Sequence, residues 1–195
     1  DVVRECAPDA DIDVASNPEF WAEGTAVRDF LEPNRIVVGT DTARAEDTLR
    51  AVYAPLVQRG YQLFATRIPT AELIKYASNS FLAMKLSFIN EIADFCELVG
   101  ADVGDVARGM GLDERIGGKF LNASIGFGGS CFGKDVRALV HRGEEAGYEF
   151  KMIKAPIAVN NARYLITINK LKKHLGSLKG KTIAALGLAY KAGTD

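Results

Sequence analysis

Apolar residues recur along this 195-residue chain with two different periods, and the change of period divides it. Before residue 68 the apolar runs are short. Residues 11–16 alternate well enough to predict a strand, and residues 35–39 predict a short buried strand between Pro33-Asn34 and Gly39. Thr40 or Asp41 is placed to cap a helix carrying Ala45, Leu49, Val52 and Tyr53 at spacings of three and four. After Gly60, residues 61–66 read as another strand. From Pro69 to Gly100 the period becomes helical, with Pro69 suited to a first turn and Gly100 to a C-terminal cap. Between them Leu73, Ile74, Phe81, Leu82, Met84, Leu86, Phe88, Ile89, Ile92, Phe95 and Val99 are apolar on more than one face. Such a helix is roughly 45 Å long and must be covered on all sides. We expect a second copy of the chain to cover it, the alternative being burial within one chain. Two shorter helices are predicted around 103–108 and 114–121, capped by Asp102 and Asp113. Another follows Cys131, and a fourth spans 156–175 and stops at Gly176. Residues 181–190 read as a buried strand opening a further α/β domain.

Composition narrows this little. Hydrophobic residues make up 48% and charged residues 25%, as in ordinary globular proteins. A net charge of −1 offers no global attraction to nucleic acid or to an anionic membrane. Lys170, Lys172, Lys173 and His174 gather in the last turn of the predicted 156–175 helix, where positive charge suits the dipole. Cys6, Cys96 and Cys131 are odd in number and lack metal-like pairing, so we expect a reducing cytoplasm and no metal. No apolar run is long enough to cross a bilayer. The first residue is not methionine and the last residues follow an apolar strand, so we expect a piece of a longer protein.

The candidate chemistry centres on Cys131. It follows Gly126, Gly128 and Gly129, which let backbone approach a ligand closely, and it precedes a helical pattern beginning at Asp135. A thiol at a helix N-terminus is favoured as thiolate, and Lys134 adds a positive charge. An inert buried cysteine would not call for those glycines. Lys75 and Asn79, four apart, share one face of the long helix, where an ammonium and an amide can hold an oxyanion. Each taken singly also reads as an ordinary polar residue at a helix start. Glu19 and Glu23 flank Trp21 and are candidates for acid/base work, although surface glutamates are common.

Taken together, Asn17-Pro18-Glu19-Phe20, Glu23-Gly24-Thr25-Ala26, Lys75 with Asn79, and Gly128-Gly129-Ser130-Cys131-Phe132 with Lys134-Asp135 resemble the nucleotide-sugar 6-dehydrogenases. The resemblance runs over essentially the whole chain, in the family's order, and the cysteine motif is its most specific part. It implies a mainly α fold: a central helical dimerisation domain (68–176) flanked by the end of one Rossmann-like α/β domain (1–67) and the first strand of another (177–195). It implies NAD as cofactor, UDP-glucose as substrate with GDP-mannose as the alternative, and oxidation of the sugar C6 alcohol to a carboxylate. Cys131 would be the nucleophile, Lys75 and Asn79 the oxyanion holders, Glu19 the acid/base for thioester hydrolysis, and Asp135 the holder of a water or acceptor of the alcohol proton. Glu23, Cys131 and Lys134 would border the cofactor. The sugar nucleotide would meet Glu19, Phe20, Trp21, Ala22, Glu23, Lys75, Asn79, the loop Asn122, Ala123, Ser124, Ile125, Gly126, Phe127 and Gly128, and Tyr190 and Lys191. Arg115 would reach into the partner subunit's site. The dinucleotide fingerprint G-x-G-x-x-G does not occur in this sequence.

Two other classes remain at this point. A cysteine hydrolase would want a histidine base, and the chain offers only His141 and His174. A non-catalytic dimerising module is the other.

Overall fold

The computed structural model describes residues 2–189, 191, 193 and 194, the side chain of Arg4 excepted. The chain forms two compact units, Asp1–Lys75 and Tyr76–Asp195.

The first unit runs α1 (Val2–Cys6), β1 (Ala15–Ser16), α2 (Ala26–Leu31), β2 (Ile36–Thr40), α3 (Ala43–Gln58) and β3 (Leu63–Thr66), then enters the first turns of α4 (Ile68–Val99). The sheet order is β1-β2-β3. β1 pairs antiparallel with β2, placing Ala15 opposite Thr40. β2 and β3 are parallel in the register Ile36↔Leu63 through Gly39↔Thr66, with α3 as the crossover. Every residue of β2 is buried, as an unbroken apolar run predicts for a central parallel strand. Ile36, Val38 and Leu56 form its core, with Leu49, Tyr53, Tyr61, Leu63 and Ala65 packed around them.

Three expectations need correction here. The strand predicted over 11–16 is only two residues long. Asp11 and Asp13 instead hold the Arg44 guanidinium at 2.6 and 2.5 Å, which ties that segment to the start of α3. The cap of α3 is Thr42, whose side chain accepts from the Ala45 N–H at 3.2 Å, because β2 extends through Thr40. Val52, expected on the inner face of α3, is 63% exposed. Gly39 is where α4 meets the sheet: a Cβ there would lie 2.6 Å from Ala71 Cβ and 2.8 Å from Ile68 Cα.

The second unit contains the rest of α4, then α5 (Val103–Gly111), α6 (Phe132–Glu145) and α7 (Lys151–Leu175). Gly100, at φ 73°, follows the last residue of α4 as expected. The Asp102 carboxylate caps α5 by accepting from the Asp105 N–H at 2.9 Å. The helix predicted over 114–121 does not form. The Asp113 carboxylate instead accepts from the Arg115 N–H at 3.0 Å, and Gly117 and Phe120 take positive φ, which a helix cannot accommodate. Lys85 on α4 donates to the Ile116 and Gly117 carbonyls at 3.0 and 3.2 Å, satisfying acceptors that a helix would have used.

α7 begins at Lys151, five residues earlier than predicted, and carries Pro156 inside it. The Pro156 carbonyl accepts from Ser87 Oγ of α4 at 2.9 Å. Residues 181–189 form no strand, and Leu186 and Leu188 are 95% and 92% exposed. A strand exists only against a neighbour in a ladder, and no other described strand lies beside this stretch. Among the described residues no helix is long and apolar enough to cross a membrane.

Candidate active site

The predicted site residues fall into two clusters, one in each unit. In the first, the loop before α2 turns back on the start of α4. Lys75, whose side chain is 15% exposed, donates to the Glu19 carbonyl at 2.5 Å and pairs with Glu19 Oε1 at 3.0 Å. The other carboxylate oxygen, Glu19 Oε2, accepts from the Trp21 N–H at 2.8 Å. The acid and the ammonium therefore fix one another, and one contact runs through rigid backbone. Phe20 meets two cations, the Arg35 guanidinium 3.9 Å and the Lys75 ammonium 5.5 Å from its ring centre. Trp21 is half-exposed and meets Phe30 edge-on at 5.7 Å. Ala22 donates its N–H to Asp29 Oδ2 at 2.9 Å, which closes the turn in which exposed Glu23 sits.

The second cluster is built on α4, α6 and the glycine loop between them. Cys131 occupies the N-cap position of α6, as its sequence context predicts, and is half-buried. Its side chain does not cap the helix, and Ser130 Oγ lies 3.5 Å from its Sγ. The Asp135 N–H donates to the Cys131 carbonyl at 2.9 Å, so Asp135 stands one turn further along. Asp135 is 3% exposed; its Oδ2 accepts from the Asn79 side-chain amide at 2.6 Å. Its Oδ1 pairs with Lys134 at 3.2 Å, and that lysine is otherwise 72% exposed. The hydrogen bond to Asp135, reinforced by its charge, raises the Lys134 pKa above the ordinary lysine value, so the ammonium beside the cysteine holds its proton firmly.

In the loop, Ser124 Oγ donates to the Gly126 carbonyl at 3.1 Å and accepts from the Gly126 N–H at 3.2 Å. Gly126 takes φ 126°, which side chains rarely adopt. Phe127 meets Phe132 edge-on at 5.8 Å. Asn122, Ala123, Ile125 and Gly128 are exposed along the loop.

The remaining predicted residues stand apart. Arg115 sits in the turn after α5 with its side chain 89% exposed, its guanidinium bound to Asp113 at 2.6 Å. Lys191 lies in a turn with Thr194, and Tyr190 is outside the described residues. Four residues here were not foreseen. Phe120 takes φ 64°, unusual for a bulky side chain, packs edge-on to Phe132 at 6.2 Å, and lines an open cavity of about 620 Å³ with Leu86, Gly118, Lys119 and Asn122. Asn90, Asn160 and Arg163 bind the loop backbone. The polar pair Asn160 and Arg163, three apart within a helical pattern, was the available signal. Among the described residues no group of three or more His, Cys, Asp and Glu could hold a metal.

Comparison with known proteins places the chain in a family. The NAD-binding domain of the UDP-glucose/GDP-mannose dehydrogenase family matches residues 2–57, and the central domain of the same family matches residues 69–162. A UDP-glucose 6-dehydrogenase of Rickettsia felis is 55% identical over 183 residues, covering 93% of this chain and 41% of that protein. One from Rhizobium meliloti is 49% identical over 197 residues, covering 100% and 45%. The solved structure of a UDP-glucose dehydrogenase from Pyrobaculum islandicum superposes with a TM-score of 0.92 at 41% identity, covering 96% of this chain and 43% of that one. The chain thus spans less than half the length of the relatives it matches. With both domain matches in order and identities near one half across its length, this chain belongs to the UDP-glucose/GDP-mannose dehydrogenase family.

Proposed function

We propose that this chain is the catalytic centre of an NAD-dependent UDP-glucose 6-dehydrogenase, oxidising the C6 alcohol to a carboxylate through a covalent intermediate on Cys131. The observation that carries this is the half-buried thiol at the start of α6, one turn before the buried Asn79–Asp135 pair. The relatives named as UDP-glucose 6-dehydrogenases support the choice of substrate.

Two oxidations are needed, and the second poses the chemical problem, because a free aldehyde is a poor hydride donor. In the first, the C6 alcohol loses its proton and a hydride to become an aldehyde. The Cys131 thiolate then adds to the carbonyl carbon; a C–S bond forms and the oxygen becomes an oxyanion. Lys75 and Asn79, one turn apart on α4, are assigned to stabilise that charge. Loss of a second hydride from the thiohemiacetal gives a thioester. Water then attacks, the C–S bond breaks, and the thiolate leaves. Glu19 serves as the acid/base for hydrolysis, and Asp135 holds water or takes the alcohol proton.

Bound NAD supplies the hydride acceptor. Glu23 and the Lys134 side chain, both exposed, are the groups we assign to border it together with Cys131. The exposed loop from Asn122 to Gly128, with Phe20, Trp21, Ala22, Tyr190 and Lys191, is assigned to the sugar nucleotide.

We further infer a homodimer through α4. Phe81, Phe88 and Phe95 recur every seven residues and are 55%, 44% and 60% exposed, a stripe suited to a second copy of the same helix. Arg115 would serve the partner's site. The described cysteines are all free, which suits a reducing cytoplasm. A cysteine hydrolase is less well supported: His141 lies ten residues along α6, roughly 15 Å from Cys131 by helical rise, and pairs with Glu145. The test is turnover by the complete protein. NAD+ reduction with UDP-glucose, faster than with GDP-mannose, is expected; no reduction with any nucleotide sugar would overturn the reading.

A further inference from the structure

The loop between Ser124 and Phe127 is held by side chains rather than by secondary structure. On α7, the Asn160 amide closes a two-bond ring on one residue: its Oδ1 accepts from the Phe127 N–H at 2.7 Å and its Nδ2 donates to the Phe127 carbonyl at 3.1 Å. One turn on, Arg163 is 7% exposed and donates to the Ser124 carbonyl through Nε at 3.2 Å and Nη2 at 2.9 Å. Its Nη1 donates to the Asn90 carbonyl at 3.1 Å and to Asp94 Oδ1 at 2.5 Å. From α4, the side chain of fully buried Asn90 accepts from the Ser124 N–H at 2.7 Å.

Ser124 and Phe127 thus each have both backbone groups bound by a buried or half-buried side chain. Gly126 completes the fit: a Cβ there would lie 2.8 Å from Asn160 Oδ1. Polar groups this far inside are costly unless satisfied. The Arg163 guanidinium is satisfied by loop backbone, the Asn90 carbonyl and Asp94, and Asn90 Oδ1 by loop backbone, while Asn90 Nδ2 has no hydrogen-bond partner among the described residues.

We propose that Asn160 and Arg163 are positioning residues, which set the loop backbone in the one shape in which it receives the sugar nucleotide. This rests on the assignment of that loop to substrate. Among the described residues, the hydrogen bonds of these two side chains run to Phe127, Ser124, Asn90 and Asp94, not to Cys131 or to the Asn79–Asp135 pair. Their removal should therefore weaken substrate binding more than the chemistry on bound substrate.

The test uses the complete protein with Asn160→Ala and Arg163→Lys. The lysine keeps a cation for Asp94 but loses the fork that reaches Ser124. For both variants KM for UDP-glucose should rise about tenfold or more while kcat stays within about threefold. Amide hydrogen exchange at Phe127 should speed up in Asn160→Ala with the core of α4 unchanged. An unchanged KM in Asn160→Ala, or restoration of wild-type KM by lysine at 163, would overturn the proposal. If the wild-type protein turns over no nucleotide sugar, the functional reading fails on its own, and the hydrogen-exchange arm decides. Faster exchange confined to the loop then upholds the clamp, and unchanged or global exchange refutes it.

Discussion

Replacing Asn79 by alanine removes the side-chain amide that donates to Asp135 Oδ2, deep in the second unit. Hydrogen bonds to charged groups contribute about 1.5–3 kcal/mol, and a buried acceptor left unsatisfied adds its desolvation penalty. Lys134 still reaches Oδ1, so the carboxylate is not wholly stranded. The expected cost is therefore about 2 kcal/mol, equivalent to a fall in Tm of roughly 4–8 °C for a chain of this size. Asp135→Asn keeps an acceptor for the Asn79 amide but makes the bond neutral, so it should cost about half as much. The double variant has lost both the donor and the charge that needed it. Its cost should fall short of the sum of the single costs by about 1 kcal/mol. Urea unfolding followed by far-ultraviolet circular dichroism gives all four corners of the cycle, the wild type included. Additivity to within about 0.3 kcal/mol would refute the coupling and with it the reading of Asn79 and Asp135 as one unit.

Other consequences follow from the same geometry. Gly39→Val should destabilise the first unit by about 2 kcal/mol or more, because the new Cβ would meet Ala71 and the Ile68 backbone; chemical denaturation checks this, and a neutral effect would contradict the close approach. Glu144 is held below the ordinary glutamate pKa, first by its hydrogen bond to Lys154, then by that lysine's charge. A depressed carboxylate stabilises the fold above its unfolded pKa and loses that contribution as pH falls through the folded one. Stability should therefore drop below about pH 4.5, less so in Glu144→Gln, in a urea titration across pH 3–6. Phe88→Glu should shift the complete protein to a smaller species in sedimentation without unfolding it; an unchanged mass would count against the α4 interface. Glu19→Gln should let a substrate-derived adduct accumulate on Cys131, visible in the intact mass, whereas no adduct would remove Glu19 from hydrolysis.

The local pattern was enough wherever an element is stabilised by its own period. The α4 register, its stop at Gly100, the buried run of β2 and the Cys131 position at the head of α6 were all legible in this way. Failures came where side chains compete with the backbone. Asp113 captured the Arg115 N–H and stopped a helix that periodicity favoured, and Asp11 with Asp13 chose Arg44 over a longer strand. The start of α7 was misplaced because its apolar stripe was read only from residue 156, whereas the helix begins at Lys151 and carries Pro156 inside it. In the site, Cys131, Asn79 and Asp135 were visible as residues, but the burial of Asp135 against Asn79 was not, since 56 positions separate them. The loop clamp was hidden for the same reason: Arg163 meets Ser124 from 39 residues away.

The central claim is that Cys131 carries the substrate covalently through the second oxidation. Counting NADH formed per UDP-glucose consumed by the complete protein, with and without Cys131→Ser, tests it most directly. The account predicts two NADH per sugar in the wild type and no acid product in the variant. One NADH per sugar, or acid formed by Cys131→Ser at the wild-type rate, would contradict it.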